Sequence, residues 1–264
     1  AKVVTTIHSD IACDLCYNYN FFVSFIFTKI WLHYIKKFDA VVVISDQLKK
    51  IYECKLKSIS RVYNGIDITY RPDKNDPSII AQINKFRDLN YKIIGSYAYL
   101  TRIKGLEQLI KVLEKRKDLA VVIIGEGEAK NELIELSRTL NVIDRTLFLD
   151  YLPTPYNYLS LFDVYAMCSR SEGFGLAAVE ATLMQTPVVC SNISIFKEIF
   201  DDTKVSFFEL DNISSLLESI NIAISTIGKL KAKVALNYSL NNFSGYKMAS
   251  NYLDIYSNLL NGKI

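Results

Sequence analysis

With 264 residues, half of them hydrophobic and 22% charged, the chain carries enough apolar surface for one large domain or two smaller ones and is not disordered. Its 31 Lys and Arg stand against 28 Asp and Glu, which excludes a protein that coats nucleic acid through bulk charge. A local basic site for a phosphate-bearing small molecule remains compatible with that balance.

In chain order, "KVVTTIH" and "DAVVVIS" read as strands. Between them lies the longest apolar stretch, "FFVSFIFTKIWLHYI" from Phe21 to Ile35. Lys29 and His33 interrupt it and it falls short of the roughly 20 residues of a membrane span, so no integral membrane segment is expected. Two readings stand: a buried or half-buried amphipathic helix, or a membrane-surface helix with aromatic anchors. The N-terminus reads as a strand without a cleavage pattern, so no secretory signal is expected. "ISRVYNGID" closes this first α/β unit. The polar stretch "RPDKNDPS", Arg71 to Ser78, holds two of the five prolines and is the expected linker.

From Tyr91 onward apolar runs alternate with helical patterns. "YKIIGSYA", "LAVVIIG", "TLFLDY", "VYAMCS", "PVVC" and "KVSFFEL" are the predicted strands. Helices are predicted near residues 105–117, 129–140, 156–162, 176–184 and 195–200. Continuous β-branched runs separated by helices predict a parallel sheet covered on both faces, in a doubly wound α/β fold. The spacing of Phe243, Tyr246, Met248, Tyr252, Leu253, Tyr256 and Leu260 predicts a last helix. The expected division is a partial N-terminal Rossmann-like domain over 1–75, joined by the C-terminal helix 242–264, and a ligand-binding domain over 76–241.

The cysteines Cys13, Cys16, Cys54, Cys168 and Cys190 are odd in number and lie mostly in apolar runs, as expected of buried reduced thiols in a cytosolic protein. Cys13 and Cys16 form a C-x-x-C without a second pair at zinc spacing, so no metal site is expected.

Ligands of doubly wound sheets bind outside the carboxyl ends of the strands, and three loops there carry polar residues. In "LTRIKG", Arg102 and Lys104 fit a diphosphate clamp or a solvated basic loop. In "IGEGEAK", Gly125 and Gly127 fit a tight turn, and as a phosphate signal they are weak. In "SRSEGFGLAAVEA", Gly173 and Gly175 precede a helix whose backbone N–H groups can receive an anion. Glu172 and Glu180 suit sugar or ribose hydroxyls, because a carboxylate accepts two hydroxyls well. The residues alone leave open a helix-dipole role for Glu172 and a surface charge for Glu180.

The stretch "SRSEGFGLAAVEATLMQTPVVCSNISIFKEI" resembles the nucleotide-sugar site of family 4 retaining glycosyltransferases, which have the GT-B fold of two facing Rossmann-like domains. "TIHSD", "FDAVVVISD", "VYNGID", "KG", "VVIIGEGE", "LFLDYLP" and "FDVYAMCS" match in order. The resemblance implies that Glu180 holds ribose hydroxyls and that Lys104 neutralises the diphosphate. It implies that Glu172, with the backbone of Gly173, Phe174 and Gly175, contacts the transferred sugar and its phosphate. His8 would face the sugar from the other domain and Leu152 would neighbour the nucleobase. Arg102, Gly125 and Leu176 complete the implied donor-binding set. No metal or cofactor is implied beyond the nucleotide diphosphate sugar as donor substrate, and transfer would retain the anomeric configuration. The acceptor implied is a saccharide or glycolipid.

Two departures stand out. Tyr99 occupies the place of the family's arginine five residues before the loop lysine, leaving Arg102 to substitute from a different angle. The chain also begins just before the "TIHSD" strand, so the first part of the usual N-terminal domain is expected to be missing. The exposed sheet edge would then need a homodimer or a partner chain to cover it. The competing classes are a non-catalytic or half-enzyme nucleotide-sugar-binding subunit and a nucleotide-sugar epimerase. The expected location is cytoplasmic, with contact at the inner face of the membrane.

Overall fold

The computed structural model describes residues 1–68, 71 and 75–262. The chain packs as two units. The first comprises Ala1–Asp67, Glu172–Gly175 and the described chain from Asn241 onward; the second comprises the described residues from Ile68 to Ser171 and Leu176–Leu240.

In the first unit, β1 (Val4–Ile7), α1 (Ile11–Asn18), α2 (Phe21–Ile35), β2 (Ala40–Val43), α3 (Asp46–Tyr52) and β3 (Ile59–Arg61) form a parallel sheet in the order β1-β2-β3. The register sets Val4 opposite Ala40 and Val41 opposite Ile59. The C-terminal helix α11 (Gly245–Leu260) lies on this sheet: Ile255, Met248 and Tyr252 pack with Val4, Val42 and Val62. The Tyr252 hydroxyl lies 3.0 Å from Thr6 Oγ1. Among the described residues of α2, only Ser24 and Ile35 are buried, and its aromatic side chains face solvent, contrary to a buried-helix reading.

The second unit begins with α4 (Pro77–Asp88) and continues through β4 (Lys92–Tyr97), α5 (Glu107–Lys115), β5 (Leu119–Ile124), α6 (Lys130–Thr139) and β6 (Thr146–Leu149). After a 3-10 turn at Pro155–Leu161 come β7 (Val164–Met167), α7 (Leu176–Leu183), β8 (Val188–Ser191), α8 (Ser194–Ile199), β9 (Ser206–Phe208), α9 (Ile213–Ile224) and α10 (Thr226–Asn242). All six strands are parallel, in the order β6-β5-β4-β7-β8-β9. That is the doubly wound order, with its reversal between β4 and β7. The run LAVVII of β5 is buried at every position, as a strand covered by helices on both faces must be. Helix α5 supplies one cover: its Leu109, Ile110, Val112 and Leu113 are buried against Val121, Ile123 and the α9 residues Leu216 and Ile220. Beside it the buried Arg145 donates to the carbonyls of Leu113, Arg116 and Leu119 at 2.8, 3.0 and 3.1 Å, so its charge is met by backbone acceptors.

Two expectations are corrected here. The proposed linker Arg71–Ser78 runs into α4: Asp76 is its N-cap, accepting from the Ser78 N–H at 2.8 Å, and Pro77 opens the helix. A proline at N1 lacks only an N–H that would have no helical partner. Residues 72–74 of that stretch lie outside the described residues. The cysteines divide differently from expectation, because Cys168 and Cys190 are buried, Cys13 is half-buried, and Cys16 and Cys54 are exposed. Burial pushes the Cys168 thiol well above its ordinary range, which keeps it protonated and inert.

Candidate functional site

In the second unit, the strand order reverses between β4 and β7, and the loops that leave these two strands define the crevice in which such sheets take ligands. The first loop ends in a 3-10 turn, Arg102–Lys104, closed by Gly105. The second runs from Cys168 towards α7.

Glu180 lies on α7 and is half-buried, not a solvated surface charge. The hydroxyl of Tyr97, the last residue of β4, donates to its Oε2 at 2.5 Å, bridging the two sides of the switch point. Tyr97 is itself buried, its ring 4.9 Å from that of Tyr165 on β7, and Tyr165 donates to the Tyr97 carbonyl at 3.3 Å. Burial raises the Glu180 carboxyl above its ordinary range, while the Tyr97 hydrogen bond pulls in the opposite direction. Burial, followed by the charges of neighbouring groups, pushes the Tyr97 phenol well up, so it is a neutral donor.

Arg102 is exposed and forked on Glu132 of α6, at 2.6 and 3.1 Å. Lys104 follows in the same turn and is partly buried. Gly125 directly follows β5, its N–H donating to the Leu149 carbonyl at 3.0 Å. Leu152, half-buried, follows β6. Lys130 ties the loops carrying these two residues together, reaching Glu126 at 2.8 Å and Asp150 at 2.5 Å. Leu176, partly exposed, opens α7.

In the first unit the structure brings His8 and the glycine turn together. A Cβ on Gly173 would lie 2.1 Å from the His8 carbonyl oxygen, so no larger residue fits without displacing backbone. Phe174 is buried in an aromatic cluster, 5.7 Å from Tyr63 and 5.6 Å from Phe243 between ring centroids. Its ring is therefore an anchor of this unit's core. Gly175, at φ +88°, completes the turn, and Glu172 at its head is half-buried.

Sequence reasoning missed Tyr97, Arg170, Gln108 and Asp211. Tyr97 carried one signal, its place at the carboxyl end of the first strand of a doubly wound sheet. Among the described residues, no group of three or more His, Cys, Asp or Glu is arranged to hold a metal ion, and no helix is long and apolar enough to cross a membrane.

A basic 3-10 turn after β4, a half-buried carboxylate on the helix after β7 and a six-stranded parallel sheet place the second unit in the class of doubly wound α/β domains. Residues 79–235 match the glycosyl transferases group 1 family. The chain is 34% identical over 265 residues to the O-antigen biosynthesis glycosyltransferase WclY of Escherichia coli, covering 98% of this chain and 72% of that protein. It is 29% identical over 178 residues to an N-acetylgalactosaminyltransferase of Campylobacter jejuni that acts on a diphospho-undecaprenol-linked saccharide, covering 66% of this chain and 47% of that one. Among solved structures, HepE of Anabaena, in complex with UDP and glucose, superposes with a TM-score of 0.83 at 19% identity, over 97% of this chain and 72% of that chain. The chain belongs to the group 1 glycosyltransferases, and its α/β fold is GT-B-like.

Proposed function

We propose that this chain transfers a sugar from a nucleoside diphosphate sugar to a saccharide or lipid-linked saccharide acceptor in the assembly of a surface polysaccharide, with retention at the anomeric carbon. The observation that carries this reading is the half-buried Glu180 carboxylate, set by Tyr97 at the switch point whose other loop bears Lys104. The relatives named above, which build O-antigen or act on undecaprenol-linked sugars, support the acceptor class.

Glu180 accepts the ribose hydroxyls and Lys104 opposes the diphosphate charge. Leu152 and Gly125 neighbour the base, and Arg102 contributes positive charge once released from Glu132. Glu172, His8 and the backbone of Gly173–Leu176 contact the sugar and its phosphate. The bond from the anomeric carbon to the diphosphate oxygen breaks and the bond to the acceptor oxygen forms on the same face. The acceptor proton passes to the departing phosphate oxygen, so no side-chain base is assigned. Fixed positive charge and backbone N–H groups stabilise the leaving group, and no resident metal or cofactor is proposed. The location proposed is the cytoplasmic side of a membrane.

The test is incubation of the purified protein with UDP-, GDP- and ADP-sugars and lipid-linked saccharide acceptors. Release of nucleoside diphosphate with an α-linked product from an α-linked donor is expected, with at least about a hundredfold loss of turnover in Lys104→Ala. An inverted product sinks retention. An epimerised donor without nucleotide release sinks transfer. Donor binding without turnover favours a binding subunit.

Helix α2 supports contact with an anionic lipid surface. Phe21, Phe22, Phe25, Ile26, Trp31 and Tyr34 are 51–75% exposed, and α2 contains no Asp or Glu. Lys29 and Lys37 sit over the Phe25 and Tyr34 rings at 4.1 and 4.7 Å, next to Lys36. Aromatic anchors beside basic side chains suit the headgroup boundary of an anionic bilayer. Co-sedimentation with phosphatidylglycerol-containing vesicles is expected to fall at least about fivefold in a Phe22→Ser, Trp31→Ser variant. Unchanged binding would count against this contact.

A further inference from the structure

Arg170 takes no part in the roles assigned above, yet its side chain joins three loops at the carboxyl ends of β4, β7 and β9. Its backbone N–H donates to the Ile103 carbonyl and its Nη1 to the Arg102 carbonyl, both at 2.8 Å. Its Nη2 pairs with Glu107 at 2.6 Å and Asp211 at 2.5 Å. Beneath it the buried Gln108 repeats the arrangement. The Gln108 amide donates to the carbonyls of Gly105 at 3.1 Å and Cys168 at 3.2 Å, and its oxygen accepts from the Asp211 N–H at 2.9 Å.

The segment so held is short. Arg102–Lys104 is a single 3-10 turn without a side-chain cap, and such turns have weak internal hydrogen bonding. The carbonyls of Arg102 and Ile103 are fixed by Arg170, and that of Gly105 by Gln108. Lys104 thus lies between two pinned carbonyls, those of Ile103 and Gly105. Arg170 and Glu107 each keep only 26% of their side-chain surface exposed. At that depth a charge-assisted pair holds its geometry better than a solvated one.

We propose that Arg170 is a positioning residue that holds the Lys104 turn in the place where it meets the diphosphate of the donor. This rests on the reading of Lys104 as a diphosphate ligand. Arg170 acts through the turn and touches no substrate itself. Glu107 and Asp211 orient its guanidinium, and Gln108 holds the turn from below.

The test compares nucleoside diphosphate binding with binding of the corresponding nucleoside, by titration calorimetry, using whichever of UDP, GDP and ADP the wild type binds most tightly. Arg170→Met is expected to weaken diphosphate binding about tenfold or more, since small misplacement of a positioned group carries losses of that order, and to leave nucleoside binding unchanged. Glu107→Gln, a milder change, is expected to act in the same direction with a smaller effect. In a Lys104→Ala background, Arg170→Met is expected to cost less than about twofold further, because its effect runs through the lysine. Arg170→Lys is expected to recover part of the loss. Melting temperatures identify any variant that fails to fold, and Glu107→Gln then carries the comparison.

Equal diphosphate affinity in wild type and Arg170→Met overturns the proposal. So does a loss shared equally by diphosphate and nucleoside, or a full additional loss in the Lys104→Ala background, since each marks a merely structural residue. Failure of the wild type to bind any of the three diphosphates overturns the donor reading itself, an outcome distinct from these.

Discussion

Replacing Glu180 by glutamine is expected to weaken donor binding about tenfold to a hundredfold and, at pH 7, to raise the melting temperature. The binding loss follows from what the carboxylate offers. Tyr97 occupies part of Oε2, and the remaining acceptor capacity is what ribose hydroxyls would use. An amide keeps one oxygen and replaces the other with a donor, and losing a hydrogen bond to a charged group costs roughly 1.5–3 kcal/mol. The gain in stability follows from the raised carboxyl pKa of Glu180, caused first by burial. A group whose folded pKa exceeds its unfolded value binds its proton more readily in the folded protein. Its favourable contribution is complete below the unfolded pKa and lost as pH rises through the folded one. At pH 7 the ionised Glu180 is therefore a cost to the fold that glutamine lacks, and the difference in melting temperature narrows as pH falls through the Glu180 pKa.

Wild-type donor affinity is expected to fall over that same acid range, as the carboxylate is protonated. The titratable groups around the Tyr97–Glu180 pair are the phenols of Tyr165 on β7 and Tyr156 in the 3-10 turn before β7, both neutral over this range. Tyr97→Phe removes the hydrogen bond that lowers the Glu180 pKa, so it moves this acid limb to higher pH. Calorimetric titration of donor between pH 5 and pH 8 on the three proteins reads both effects. A Glu180→Gln variant with wild-type affinity and a lower melting temperature would refute the ribose role and the sign of the linkage together.

Much of the architecture was legible because parallel strands covered on both faces carry an unbroken apolar code. AVVV of β2 and LAVVII of β5 are buried throughout, and the six-stranded sheet has the order that alternating strands and helices imply. Local signals with two meanings were harder to read. Asp76 and Pro77 look like linker residues, and an N-cap followed by a proline at N1 is also how a helix begins. Both cysteines of the C-x-x-C lie on the short helix α1, where Cys13 is half-buried and Cys16 is exposed, although Ala12 and Leu15 beside them are apolar.

The candidate site was legible where its chemistry is local, as in Lys104 or the Glu172–Gly175 turn, and illegible where it is assembled across the chain. Arg170 meets Arg102 across 68 residues, and Gln108 meets Cys168 across 60. Only the doubly wound order brings those loops together. Likewise nothing local announces that Phe174 leaves the second unit to pack with Tyr63 and Phe243 in the first. The "EGFG" run reads as one loop leading into a helix, whereas the chain crosses into another unit for four residues, Glu172–Gly175, and returns.

The glycines after β5 acquire a purpose that a tight turn does not explain, and Gly127→Ala is expected to be severely destabilising. Gly127 has φ +152°, and an added Cβ would lie 2.3 Å from the carbonyl oxygen of Leu100 and 2.7 Å from its carbonyl carbon and nitrogen. That backbone has nowhere to retreat. The Leu100 N–H donates to the Glu126 carbonyl at 2.7 Å, the Leu100 carbonyl accepts from the Ala129 N–H at 3.0 Å, and the Leu100 side chain is fully buried. Gly125 presses in the same way on the Ala98 carbonyl, where its Cβ would stand at 2.0 Å. The two glycines thus bring the β5 loop against the backbone of 98–100, the segment that leads into the Lys104 turn. Backbone strain and overpacking each cost about 1–3 kcal/mol, so a loss of about 3 kcal/mol or more is expected. In a protein of this size that lowers the melting temperature by roughly 6–12 °C. Gly262→Ala is the matched comparison: φ is +66° there, nothing lies within 4 Å among the described residues, and the left-handed backbone penalty of about 1–2 kcal/mol is the cost expected. Because the displaced segment continues into Arg102–Lys104, Gly127→Ala is also expected to weaken diphosphate binding at temperatures where it remains folded. Wild-type stability would show that the Leu100 backbone can yield after all. Wild-type affinity in a destabilised Gly127→Ala would show that the Arg170 and Gln108 contacts hold the Lys104 turn independently of the strand that delivers it.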